Sequence, residues 1–186
     1  MSSTVPTSKG IYPGRYTAQI EGDFVVFLIG SQLNTWRALR RYTRVGDQMS
    51  EMQRVLNQHP AKGYLGGENY FSFFPLRTLL MSYWRSFEAL EHFARSKDEP
   101  HAAAWGEFNR LIGDDGTIGI WHETYMVTAN SYEVVYGNMP RFGLARAGEH
   151  LPIQGRNHTA RGRYSGEQQS TPDTITDSES HVATVE

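Results

Sequence analysis

The chain contains no cysteine, which excludes disulfides, thiol nucleophiles and thiolate-held zinc or iron–sulfur clusters together. A metal would have to be held by His, Asp, Glu or Tyr, and no spacing of those residues marks a metal site. Long apolar runs are missing too. The longest, Phe24 to Ile29, is far below the roughly 20 residues that span a bilayer, and the N-terminus lacks the charged-then-apolar pattern of a leader. Charge of one sign is also absent: 18 Lys+Arg stand against 20 Asp+Glu, with no basic run of the kind that nucleic acid or an anionic membrane selects. There is no phosphate-binding glycine loop, no two-histidine metal helix and no Gly-x-Ser-x-Gly elbow, so nucleotide-binding and hydrolase readings have no support. The expectation is a soluble, cytoplasmic protein without nucleic-acid or membrane partners.

What is present is enough apolar and aromatic sequence for one domain with a real core, and too little length for two. Residues 1–10 are Ser/Thr-rich and read as a flexible N-terminus. Residues 11–144 carry the periodic segments. Residues 145–186 hold few large apolar side chains and read as a mostly disordered tail. Within the domain, Asp23 to Gly30 is β-branched and aromatic without alternation, a strand buried on both faces. Asn34 to Gln58 has helical spacing, with a break or kink at Gly46. Tyr64 to Phe71 is a weaker strand whose Gly66 and Gly67 suggest a bulge. Arg77 to Arg85 is the next strand and forms a hairpin with it. Ser86 caps a helix, and a second helix follows Pro100. Thr117 to Val127 is the last strand. Strand, helix, strand, strand, helix, strand is a ferredoxin-like α+β order: an antiparallel sheet with helices on one face. Because the first strand is apolar on both sides, the second face must be covered, most simply by the same sheet of a second copy.

The last strand holds the leading functional candidate. Alternation puts Ile118, Ile120, His122, Thr124 and Met126 on one face, and Trp121, Glu123, Tyr125 and Val127 on the other. A lone imidazole on an apolar face is either a hydrogen-bonded core histidine or a pocket group. In a pocket of apolar side chains such a ring stays neutral and able to accept a proton or a metal. Glu123 points away from His122 and reads as a structural carboxylate, paired with Arg85 or bonded to a tyrosine. His101 opens the inward stripe of His101, Trp105, Phe108 and Ile112; a helix's first turn disfavours extra positive charge, so its imidazole suits axial haem ligation or a surface stack on Trp105. Trp36, Trp84, Trp105 and Tyr125 would line an aromatic cavity if they point inward, though aromatic residues at such spacing also make plain core. Arg85, at a strand end, could hold a carboxylate or pair with Glu123 or Glu88.

The run Gly14 to Ala18, the Asp-Phe-Val-Val-Phe-Leu-Ile-Gly strand, Asn34 with Trp36, Gly63 to Gly66, Tyr83 to Ser86, His101 with Trp105, Gly119 to Tyr125 and Tyr136 to Pro140 resemble a monooxygenase-like family of unassigned function. The resemblance implies a dimeric α/β barrel, the architecture also of antibiotic-type monooxygenases and haem-containing aldoxime dehydratases. It implies an oxidoreductase acting on a small hydrophobic or aromatic molecule, working with haem or with no cofactor, and a homodimer. His122, Arg85 and Thr124 are then the catalytic candidates, and His101 and His122 the cofactor-binding ones. Two alternatives stay open: a haem-dependent aldoxime-dehydratase-like lyase, and a non-catalytic dimeric binding module for a hydrophobic ligand.

Overall fold

The computed structural model describes residues 5–95 and 102–164. Strand β1 (Tyr12–Gln19) leads into β2 (Phe24–Leu33), then a 3-10 turn and the long helix α1 (Leu39–Gln58). A hairpin of β3 (Tyr64–Phe73) and β4 (Leu76–Trp84) is followed by α2 (Phe87–Arg95), α3 (Ala102–Ile112) and β5 (Ile118–Val127). The chain ends in β6 (Tyr136–Met139), α4 (Leu144–Ala147), β7 (Glu149–Pro152) and a last turn of helix, α5 (Ala160–Arg163).

The main sheet is antiparallel with the order β3-β4-β2-β5. That order, with its two helical crossovers, is the ferredoxin-like arrangement read from the sequence. Helices cover one face. Val25, Ile29 and Leu33 of β2 point into that layer and pack with Tyr42, Val45, Met52 and Leu56 of α1, Leu90 and Phe93 of α2, and Phe108 and Leu111 of α3. Each such buried aliphatic or aromatic side chain contributes on the order of 1.5–3 kcal/mol by leaving water.

Three sequence expectations need correction. The helix does not break at Gly46: α1 runs unbroken from Leu39 to Gln58, since one glycine lowers helix propensity without removing a hydrogen bond. Ahead of β1, Thr7 closes a turn, Gly10 N donating to Thr7 O at 2.8 Å and Ile11 N to Thr7 Oγ1 at 3.2 Å. The segment read as a disordered tail is structured as far as Tyr164, because β7 adds to β1 as a sheet strand and α4 seals a core; residues 165–186 lie outside the described ones. Finally, the second face of the main sheet is covered in part by this same chain. A second sheet, β6-β1-β7, brings Ala18 and Ile20 together with Leu144 and Ala145 of α4 onto Phe24 and Tyr83. That cover explains why β2 is apolar on both sides.

The bulge at the glycine pair of β3 is present. The register shifts between Tyr64 and Gly66, and Gly66 has φ +147, a conformation few residues other than glycine adopt.

Candidate functional site

Between α1 and the main sheet runs a cavity of about 390 Å³. Its floor comes from β2, β3 and β4, and its roof from the groove-facing side of α1. Ile29, Met49 and Leu80 line it and also line a narrower, mostly apolar recess of about 60 Å³ walled by Phe27, Trp84, Leu90 and Phe93. The wide end is different in chemistry. Ser31, Tyr42 and Thr78 meet there, with Ser31 Oγ 2.7 Å from Thr78 Oγ1 and 3.3 Å from Tyr42 Oη, while Tyr42 Oη donates to the Ser31 carbonyl at 3.2 Å. Ser31 and Tyr42 are both 5% exposed, so the hydroxyls satisfy one another, as buried polar groups must.

β5 is the open edge strand beside β2. His122 pairs with Ile29, and Thr124 with Phe27, so both lie on the helix-facing side, as alternation requires. The His122 ring is 5.8 Å from that of Phe27, which puts it just outside the narrow end of the cavity. It is exposed rather than enclosed by apolar side chains, whereas Ile118 at the start of the same strand is buried with Phe108 and Leu111. Neither ring nitrogen has a hydrogen-bond partner among the described residues.

The remaining sequence candidates do not gather around His122. Arg85 follows Trp84 at the end of β4 and so faces the other side of the sheet, where it lines a separate recess with Glu21, Asp23 and Glu149; it forms no ion pair with Glu123 or Glu88 among the described residues. Tyr125 is on the face opposite His122, half exposed, and donates its phenol to Glu123 Oε2. That bond holds the Tyr125 phenol above the usual tyrosine range, and it is the tyrosine partner foreseen for Glu123. Trp36 is 64% exposed at the far end of β2 and lines neither cavity end. Trp84 is 2% exposed and forms part of the cavity wall, edge-on to Tyr64, with its Nε1 donating to Ser82 Oγ at 3.1 Å. Trp105 lies within α3, and His101 lies outside the described residues.

Reading the sequence missed the hydroxyl group altogether. Ser31 lay past the glycine taken as the strand's end, and a lone Thr on a strand or Tyr on a helix gives no signal. Gly46 did give one, as a glycine inside a helix, but it pointed to a kink.

No helix among the described residues is long and apolar enough to cross a membrane, and no group of three or more metal-ligating side chains occurs among them. No curated protein matches the chain by sequence. Among solved structures, the aldoxime dehydratase OxdRE in complex with butyraldoxime is similar with a TM-score of 0.54 and 11% identity, over 89% of this chain and 47% of that one; this chain therefore spans about half of it. A protein of Nitrosomonas europaea described as an antibiotic biosynthesis monooxygenase is similar over 59% of this chain and 93% of its own, with TM-score 0.40 and 11% identity. A dimeric ferredoxin-like protein from an uncultured marine organism is similar over 57% and 96%, with TM-score 0.40 and 13% identity. At such identities a likeness shows a shared fold and nothing finer. The family model described as monooxygenase af470-like matches residues 24–144, which takes in the whole main sheet, its helices and the cavity between them, and the chain belongs to that family.

Proposed function

We propose that the protein is a monooxygenase-like oxidoreductase that binds a small hydrophobic or aromatic molecule between α1 and the main sheet, with His122 as its acid/base or ligand group. The observation that carries this reading is the free imidazole of His122 on the helix-facing side, 5.8 Å from the ring of Phe27, which itself walls the cavity. An imidazole so placed can accept a proton from a bound substrate or coordinate iron, and Thr124, two residues along the same face, offers a hydroxyl beside it.

The residues present fit haem in one respect: His122 has both nitrogens free of protein partners among the described residues. His122 would hold or face the iron, with His101 as the second candidate ligand. Haem would supply a redox-active, Lewis-acidic metal. Arg85 and Tyr125, on the opposite face, serve the proposal only across a subunit boundary. The exposed remainder of that face, including Trp121 and Tyr125, is where a second copy would pair to make a homodimer.

Titrating purified protein with haemin and recording the visible spectrum tests the haem version: a shifted Soret band lost in His122→Ala or His101→Ala is expected, and no shift, or one unchanged in both variants, overturns it. Oxygen uptake with a panel of phenols tests oxidation, and uptake unaffected by His122→Ala overturns the role of His122. An aldoxime-dehydratase-like lyase would instead consume butyraldoxime with no oxygen uptake. A binding module would do neither.

A further inference from the structure

The cavity has a polar end that the oxidoreductase reading leaves unused. Three hydroxyls converge there, and their hydrogen-bond capacity can be counted. The proton of Tyr42 goes to the Ser31 carbonyl. Ser31 has one proton to give, to Tyr42 Oη or to Thr78 Oγ1. If it goes to Tyr42, Thr78 donates to Ser31 and turns a lone pair to the cavity. If it goes to Thr78, the Thr78 proton is free to point into the cavity. Either way Thr78, half-buried on the cavity wall, keeps hydrogen-bonding capacity beyond its bond to Ser31 that it can offer to a group in the cavity. It accepts from a hydroxyl or donates to a carbonyl, according to which way the rotors turn.

The second observation is Gly46. Glycine is the least favoured helix-interior residue after proline, yet α1 passes through it unbroken. A Cβ built there meets no atom within 4 Å, and its φ is not positive. Neither close packing nor backbone conformation requires glycine at this position. Gly46 lies one turn after Tyr42 and lines the wide end of the cavity together with Ser31 and Thr78, so a larger side chain would project into the space in front of the hydroxyls.

We infer that the cavity between α1 and the β3–β4 hairpin takes a largely apolar molecule bearing a hydroxyl or carbonyl oxygen, which Thr78 holds in the room left by Gly46. This rests on the reading of that cavity as the substrate site and adds the class of substrate: phenol-like or ketone-like rather than plain hydrocarbon. Thr78, Ser31 and Tyr42 set specificity and orientation. The apolar remainder of the molecule would point along Ile29 and Leu80 toward Phe27 and thus toward His122.

Equilibrium dialysis with 2-naphthol and naphthalene, a pair that differs by one hydroxyl, tests it on the full chain. The wild type should bind 2-naphthol about three- to tenfold more tightly than naphthalene, the worth of one neutral hydrogen bond. Thr78→Val should bring 2-naphthol down to the naphthalene level and leave naphthalene unchanged, while Thr78→Ser keeps the preference. Gly46→Leu, or the unbranched Gly46→Met should the first not fold, should lose both ligands with no fall in melting temperature. Binding of neither compound by the wild type, or undiminished binding by the Gly46 variant, overturns the site. A preference that survives Thr78→Val overturns the role of Thr78. None of these readouts depends on turnover, so a protein that binds 2-naphthol as stated and never consumes oxygen would defeat the oxidoreductase reading alone.

Discussion

The indole of Trp121 lies across Gly30, its cross-strand partner, so closely that a Cβ at position 30 would sit 2.5 Å from Nε1 and 2.7 Å from Cε2. The contact fixes the direction of Trp121 on the sheet face away from the helices, where the side chain remains 42% exposed. Gly30→Ala must push the ring off the sheet, and overpacking of this kind costs about 1–3 kcal/mol. Urea denaturation should show that loss. If a second copy pairs on this face, the same variant should also weaken self-association in sedimentation experiments.

Gly46→Ala should do the opposite. The position is helical and open on its side-chain face, so alanine should raise stability by about 0.5–1 kcal/mol. A measured loss at position 46 would mean that the open space is filled by something the described residues do not include.

A pH dependence follows from Asp115. Its carboxylate accepts from the Thr117 hydroxyl at 2.7 Å, from Arg41 Nη2 at 2.8 Å and from Thr117 N at 3.1 Å, and these donors, Thr117 foremost, hold its pKa down at about 2 against an ordinary 3.8. In the unfolded chain the group titrates near its ordinary value, so the unfolded state takes up the proton first as pH falls. The stabilisation is whole above about pH 4 and is lost between about pH 4 and pH 2. Asp115→Asn should therefore be less stable than the wild type at neutral pH, and the gap in urea midpoint should close as the pH is lowered through that window. A gap that stays constant would separate Asp115 from acid unfolding.

Much of this fold was legible because its signals are local and periodic. The unbroken apolar run of β2 marks a strand covered on both faces, the alternation in β5 sorts its side chains between faces, and the helical stripes of α1 to α3 mark the sides they bury; the crossover order follows from them. What could not be read was long-range. Glu149–Pro152 is short, with only Leu151 large and aliphatic, yet Thr17↔Leu151 and Ala18↔His150 pairing makes it a strand. The stacking of His150 on Tyr16, ring centroids 4.4 Å apart, has no sequence signature either. The site was partly legible for the same reason. Alternation placed His122 and Thr124 on one face and Tyr125 on the other, but the union of Ser31, Tyr42 and Thr78 exists only once three elements pack.

Tyr83 should govern the alkaline limit. Burial, reinforced by its neighbours Tyr136, Tyr70 and Glu68, pushes its phenol up to about 12. The unfolded chain ionises near 10, so stability is intact below that pH and falls between about pH 10 and pH 12 as only the unfolded state loses its proton. Tyr83→Phe should flatten part of that decline. Tyr136, Tyr64, Tyr70 and Tyr125, whose phenols are also raised, contribute to the remainder. Phenolate absorbance should show Tyr83 ionising only as the protein unfolds; early ionisation would place the ring in water.

The most discriminating prediction concerns where the domain ends. Glu68, whose side chain is 13% exposed, accepts from Gly143 N at 3.1 Å and from Arg146 Nη1 at 3.2 Å, tying α4 to the edge strand β3. Ala145 is fully buried, and Leu144 closes over Phe24 and Tyr83. A chain stopped after Leu144 loses Ala145, the Arg146 bond and all of β7, and so uncovers Tyr16, Ala18 and Phe24. A chain stopped after Tyr164 keeps every one of these contacts. The shorter truncation should unfold at markedly lower urea and aggregate, whereas the longer one should match the full chain within about 0.5 kcal/mol. Glu68→Ala should fall between them, losing about 1–3 kcal/mol because Gly143 N is left without its partner, and its amide exchange should rise first in α4 and β7. Equal stability of the two truncations would show that α4 and β7 are dispensable to the fold, and that the domain ends where the family match does.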